Sequence, residues 1–256
     1  MFNIIKTRIQ QKYRTFDYPD GAPPELPPRF VGRPVVSDAQ CSGEECGRCI
    51  SICPVQAIIL SNETNGPVID TGKCIFCRQC EDACGDGVIQ FSRNYQLAAS
   101  ERANLIVKAG APDHCDAGNK VAEKLFKRSL KLRQVSAGGC NACEADTNVL
   151  GTLAWDLGRF GIQFVASPRH ADGILITGPV TKNMHEALLK TYRAVPDPKI
   201  VISVGSCAIS GGLFSDHPEQ NNGAGGIVPV DLFIPGCPPH PLTILDGLLR
   251  FTGRIK

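Results

Sequence analysis

Cysteine is the residue type that can do chemistry in this sequence, and its spacing says which. There are 13 cysteines among 256 residues. Eight lie in two runs, Cys41, Cys46, Cys49, Cys53 and Cys74, Cys77, Cys80, Cys84, and the last three of each run repeat with an offset of 31 residues (46 to 77, 49 to 80, 53 to 84). The C-x2-C-x2-C-x3-C spacing of the second run lets three thiolates cap one iron–sulfur cube while the fourth reaches a second cube. The first run ends in the same pattern, with Pro54 after it. Duplication then implies crossed ligation. Cys41, Cys46, Cys49 and Cys84 would hold one 4Fe-4S cluster, and Cys74, Cys77, Cys80 and Cys53 the other. The alternative is zinc, but zinc sites use two separated Cys pairs rather than four thiols packed within one short run. Two departures mark the pattern: four residues, Ser42 to Glu45, separate Cys41 from Cys46 where two are usual, and Gly85 replaces the proline after the second run.

Four more cysteines are far apart. Cys140 and Cys143 follow the strand candidate LRQV and a Gly138-Gly139 pair, Cys207 follows IVISVGS, and Cys237 follows VDLFIPG. Each lies just past the carboxyl end of a candidate strand, the edge of an open parallel sheet where ligands bind at the switch point. Gly205, Gly211, Gly212 and Gly236 flank them, and glycine allows close backbone approach to a cluster. Convergence of the four thiols on a third 4Fe-4S cluster competes with the plainer reading of ordinary buried thiols. Cys115 is left over as a free thiol in a polar connector, or as a substitute ligand for the irregular Cys41 site. His114, His185, His217 and His240 lack metal-ligand spacing and read as surface or packing residues.

The elements that must position these ligands follow from periodicity. Residues 1–34 are a leader: Phe2, Ile4, Ile5 and Ile9 mark a short amphipathic helix with Lys6, Arg8, Lys12 and Arg14, and six prolines between 19 and 34 enforce extended chain. That helix is either solvated or docked on a partner or membrane-embedded subunit. Residues 35–92 form a small α+β domain holding the first eight cysteines. Residues 93–130 are a linker with a basic helical pattern at Asn119 to Leu130. In 131–256, apolar runs at 164–167, 173–178, 199–205 and 230–236 alternate with helical patterns at Asn148–Phe160, Lys182–Tyr192 and Leu242–Phe251. This alternation predicts an α/β fold with a doubly wound, flavodoxin-like parallel sheet.

Composition narrows the classes. A formal charge of +2 gives no field to hold nucleic acid. No run reaches the ~18 apolar residues of a membrane span, and the first residues lack a secretory signal pattern. Clustered cysteines in a chain without an export signal point to metal or redox chemistry in the cytoplasm.

The segments GGCNACE (138–144), FGIQFVASPRHADGILITGPVTKNM (160–184), PDPKIVISVGSCAISGG (196–212) and IVPVDLFIPGCPP (227–239) resemble the small, proximal-cluster subunit of membrane-associated group 4 nickel-iron hydrogenases of the formate hydrogenlyase type. That family is akin to the 20 kDa subunit of respiratory complex I. Residues 35–92 likewise resemble the bacterial ferredoxin domain with two 4Fe-4S clusters. The resemblance implies that Cys140, Cys143, Cys207 and Cys237 ligate a proximal 4Fe-4S cluster, making three in all. It implies an electron-transfer subunit of an oxidoreductase complex with no complete active site of its own. Its partners would be a nickel-iron large subunit, an electron donor protein or ferredoxin-type subunit, and membrane subunits. The chain would then be peripheral on the cytoplasmic face of the inner membrane, held through those partners. The two residues between Cys140 and Cys143 resemble hydrogenases, whereas complex I carries adjacent cysteines there. Glu144 matches a position associated with proton movement, where a raised pKa would suit a shuttle; the alternative is a carboxylate stabilised at a helix start. Arg169 and His170 would tune the cluster or line the subunit interface. Three other functions remain: relay in a nickel-free or complex-I-like ion-pumping oxidoreductase, a non-catalytic redox sensor, and a free soluble ferredoxin.

Overall fold

Apolar runs without alternation belong to strands covered on both faces, and that is how the C-terminal runs fold. The computed structural model describes residues 2–12, 14–37, 47–61 and 66–255; Cys41, Cys46 and the insertion between them lie outside the described residues. In chain order the first elements are α1 (Phe2–Gln11), β1 (Pro34–Val36), α2 (Arg48–Ser51), β2 (Ile58–Leu60), β3 (Pro67–Asp70), α3 (Gln79–Ala83), β4 (Ile89–Phe91) and β5 (Ile106–Val107). Then come α4 (Lys120–Phe126), β6 (Leu130–Ser136), α5 (Ala142–Val149), β7 (Ile162–Phe164), β8 (Gly173–Thr177), α6 (Lys182–Ala194), β9 (Ile200–Val204), α7 (Ser206–Ser210), β10 (Leu232–Ile234) and α8 (Pro241–Phe251).

β6 to β10 make one five-stranded sheet in the order β10-β9-β8-β6-β7, parallel at every pairing. The chain steps from β6 to β7 at one edge and then crosses back to β8, so the switch point lies between β6 and β8. This is the doubly wound, flavodoxin-like order. All residues of β8 and β9 are buried. Leu175 packs with Leu132, Ile202 and the α8 leucines on one face, while Ile174 and Ile176 pack with Val201 and Leu188 of α6 on the other. Almost all of α8 is buried, and each of its fully buried leucines contributes ~1.5–3 kcal/mol. His240 caps it, its Nδ1 accepting the Leu242 N–H at 3.1 Å.

Two expected elements shift. The strand expected at 164–167 is β7, ending at Phe164, because its ladder with β6 covers only Leu130 to Leu132. The helix expected over Asn148–Phe160 ends at Val149. Beyond it Asp156 takes a left-handed conformation, and turns carry Leu150, Trp155 and Leu157 into the core, which reproduces helical spacing without a helix.

The cysteine-rich part holds two small antiparallel sheets, β1-β4 and β2-β3-β5. Its core is modest, with Val36, Ile58, Ile69, Val88, Ile89 and Val107 packed around Cys49 and Cys80. Residues 93–130 bind both parts: β5 completes the small sheet, and Ala99 exchanges two backbone hydrogen bonds with Phe233 of β10, each 2.9 Å. The proline-rich leader is strapped on the surface. Phe16 donates its N–H to Ala154 and stacks edge-on against Trp155. Tyr18 is buried and donates to Asp246 Oδ1 at 2.7 Å. Among the described residues no helix is long and apolar enough to cross a membrane. In α1, Phe2, Ile4, Ile5 and Ile9 are all exposed.

Candidate iron-sulfur centres

Three strand ends of the parallel sheet converge on four thiols. Cys140 lies in the loop after β6, Cys143 in the first turn of α5, Cys207 in the first turn of α7 after β9, and Cys237 after β10. Burial pushes the Cys143 thiol up, and the neighbouring Cys207, Glu144, Cys237 and Cys140 push it further. Cys207 is pushed up to about 11, again by burial first and by Cys237 and Cys140 next. The space is kept by glycine. A Cβ on Gly205, whose φ is +90°, would fall 2.5 Å from Cys143 Sγ, and one on Gly212 would fall 2.9 Å from Cys207 Sγ.

The small part gathers a second set across the duplication. Cys53 lines one largely apolar pocket with Cys74, Cys77 and Cys80, the crossed grouping expected from the repeat. Burial raises Cys74 to about 12 and Cys80 to about 11, with neighbouring sulfurs adding to both. Backbone donors already reach the sulfurs: Ala57 N–H to Cys53 Sγ and Phe76 N–H to Cys74 Sγ, each 3.3 Å. Of the other expected set, Cys49 and Cys84 pack in one core cluster, while Cys41 and Cys46 lie outside the described residues.

Two C-x2-C elements, Cys77–Cys80 and Cys140–Cys143, use the same backbone device. Arg78, after Cys77, has φ 65° and ψ 1°; Asn141, after Cys140, has φ 72° and ψ −1°. A left-handed residue opening a helix turns successive N–H groups to one side, the concavity that binds anionic clusters. Sulfur-only donors fit a 4Fe-4S group at each place, with glycine clearance at the C-terminal set and backbone N–H donors on sulfur at the other.

Glu144 is tied down at the start of α5. Its side chain is buried, and Oε1 accepts from Ser136 Oγ and Thr177 Oγ1, both at 2.6 Å. Burial favours the neutral acid, but these two hydroxyls and its own N–H outweigh it, and the carboxyl ends below its ordinary range. Of the two readings of Glu144, that direction suits the stabilised carboxylate. The carboxylate bolts α5 to the ends of β6 and β8. Arg169 and His170 are exposed beyond β7, and among the described residues neither is hydrogen-bonded to a cysteine. Cys115, in the connector, is buried against Leu105, Ile209 and Phe233, and its Sγ accepts from Arg33 Nη1 at 2.6 Å and donates to the Asn104 carbonyl at 3.4 Å. Sequence reasoning missed Ser206, Ser136 and Thr177, because serine and threonine beside strand ends carry no spacing signal.

The profile of the NADH ubiquinone oxidoreductase 20 kDa subunit family matches residues 140–251, and that of the 4Fe-4S dicluster domain matches residues 40–89. A probable membrane-bound hydrogenase subunit of Pyrococcus furiosus is 44% identical over 126 residues, which are 49% of this chain and 75% of that one. This chain belongs to the 20 kDa subunit family. Within the family, formate hydrogenlyase subunit 7 of Escherichia coli is 45% identical over 133 residues, 52% of each chain. An NADH-quinone oxidoreductase subunit of Desulfovibrio desulfuricans is 42% identical over 112 residues, 44% of this chain and 61% of that one. The chain thus spans three quarters of the first relative and less than two thirds of each of the other two. Named relatives of this 20 kDa family member are subunits of oxidoreductases, and the chain joins the family's sheet to a 4Fe-4S dicluster domain.

Proposed function

We propose that this chain is an electron conduit carrying three 4Fe-4S clusters between an electron donor and the nickel-iron centre of a partner large subunit, within a membrane-associated hydrogenase complex. The observation that carries the reading is the pairing of two complete thiol sets in one chain. Cys53, Cys74, Cys77 and Cys80 would hold one cluster and Cys140, Cys143, Cys207 and Cys237 another, with Cys41, Cys46, Cys49 and Cys84 for the third. The division follows: leader 1–34, two-cluster domain 35–92, connector 93–130 and proximal-cluster domain 131–256. Each bound cluster supplies a one-electron couple, with a potential within roughly −700 to +450 mV set by hydrogen bonds, charge and burial.

The chain's own residues do the positioning. Ala57 and Phe76 give backbone donors to Cys53 and Cys74, and Gly205 and Gly212 clear space beside Cys143 and Cys207. Glu144, held as a carboxylate, fixes the angle of α5 and hence of Cys143, and this suits a positioning group beside the cluster better than a proton carrier. Cys140 and Cys237 are the exposed members of their set, which supports a face there for the large subunit. The exposed apolar side chains of α1, with Lys6, Arg8 and Lys12 among them, suit contact with membrane subunits. Attachment through partners at the cytoplasmic face of the inner membrane follows. The Cys140–Cys143 spacing favours a hydrogenase over a complex-I-like partner. The test is hydrogen reduction of the purified complex. Hydrogen should reduce the N-terminal clusters in the native complex and fail to do so when Cys237→Ser removes a proximal ligand. Equal reduction in both would contradict the conduit.

A further inference from the structure

One buried hydroxyl touches the chain of both complete thiol sets. Ser206 Oγ lies 2.6 Å from the carbonyl oxygen of Cys74 and 3.1 Å from that of Gly236, the residue before Cys237. Ser206 itself precedes Cys207. Its N–H already donates to Gly236 at 2.8 Å, so the hydroxyl proton is directed at Cys74, its nearer acceptor. The side chain is 1% exposed, and no bulk water competes for that bond. One turn further along α7, Ser210 Oγ lies 3.0 Å from the Gly72 carbonyl and 3.1 Å from that of Ser206. Residues four apart share a helix face, so both serines meet the same loop, Gly72 to Cys74. Gly72 allows the approach: a Cβ there would lie 2.9 Å from Ile209 Cγ2. Two serines therefore seal the joint, and of the two Ser206 is the one that connects cysteine-bearing backbone on both sides.

We propose that Ser206 is the positioning residue for electron passage between the two sites, with the Cys74 carbonyl and Ser206 hydroxyl forming a hydrogen-bonded bridge from one cysteine set to the other. This rests on the three-cluster reading. One electron leaves one site, which is oxidised, and enters the other, which is reduced. No covalent bond forms or breaks, and the hydroxyl proton stays on Ser206. Tunnelling falls off more steeply through an empty gap than through bonds, and a short, water-free hydrogen bond extends the bonded path across the joint. The path runs from the Cys74 sulfur through its carbonyl, through the Ser206 hydroxyl, and along one peptide unit to Cys207.

The experiment compares Ser206→Ala, Ser206→Thr and Ser210→Ala in the full, cluster-loaded chain. Iron per chain reports loading, and the rate of electron redistribution between clusters after flash photoreduction reports the bridge. Ser206→Ala should keep its iron and slow redistribution several-fold. Ser206→Thr, which retains the hydroxyl, should restore most of the rate, and Ser210→Ala, which loosens the same joint, should leave it near native. An unchanged rate in Ser206→Ala would overturn the proposal, as would equal slowing in Ser210→Ala. Loss of iron from Ser206→Ala would assign the serine to cluster retention and overturn it too. A native chain short of iron at either site would instead sink the reading on which the proposal rests.

Discussion

Glu144 illustrates how two hydroxyls reverse the behaviour of a buried acid. Burial alone would favour the neutral form, yet Ser136 and Thr177 both donate to Oε1 and hold the carboxylate. Glu144→Ala leaves two hydroxyls without their acceptor at the strand ends, a loss of about 1–3 kcal/mol. The thermal midpoint should fall clearly, whereas Glu144→Gln, which keeps a side-chain oxygen, should fall less. Equal loss in both would show that the charge, not the acceptor, matters. At this scale the sequence was most informative for the cysteines. Their spacing exposed the duplication, and the duplication put Cys53 with Cys74, Cys77 and Cys80. It was least informative for the groups that aim them, since Ser206, Ser136 and Thr177 acquire roles only when distant loops meet.

Between strand β9 and helix α7 the chain has no room for a side chain. A methyl group on Gly205 would overlap Cys143 Sγ and strain a positive φ at once. Gly205→Ala should therefore cost the C-terminal site its iron, about four atoms per chain, while the 35–92 part keeps its own. Iron analysis of the purified variant checks this, and full iron content would contradict it. The alternation of apolar runs and helical patterns revealed the parallel sheet because β8 and β9 are buried on both faces. Periodicity failed at 148–160, where Leu150, Trp155 and Leu157 reach the core from turns. The leader's path was legible only as extended, since the partners of Phe16 and Tyr18 are Ala154, Trp155 and Asp246, more than a hundred residues away.

The two parts of the molecule depend unequally on their clusters. The parallel sheet has an aliphatic core on each face, whereas the core of the cysteine-rich part includes the thiols themselves, and cluster binding there is coupled to folding. Stripping iron by chelation should raise hydrogen exchange in β1 to β5 and leave β8 and β9 protected. The stripped chain should also be alkali-sensitive. Burial, with neighbouring sulfurs, holds Cys207, in the part that stays folded, near 11, above the ordinary thiol value of 9.0. The folded state then binds that proton more tightly than the unfolded one. That stability is fully present below about pH 9 and is lost as pH rises through 11. A thermal-midpoint series from pH 8 to 12 checks this, and the loaded protein, whose thiolates are ligated, should lack the decline.

The most direct measurement is iron and acid-labile sulfide per chain in anaerobically purified protein, with electron paramagnetic resonance of the dithionite-reduced sample. Three cubanes require about twelve irons and as many sulfides, with mutually broadened signals, and Cys207→Ser should lower the count to about eight. Zinc in place of iron, or a Cys207→Ser count that falls by two clusters or by none, would contradict the three-cluster conduit.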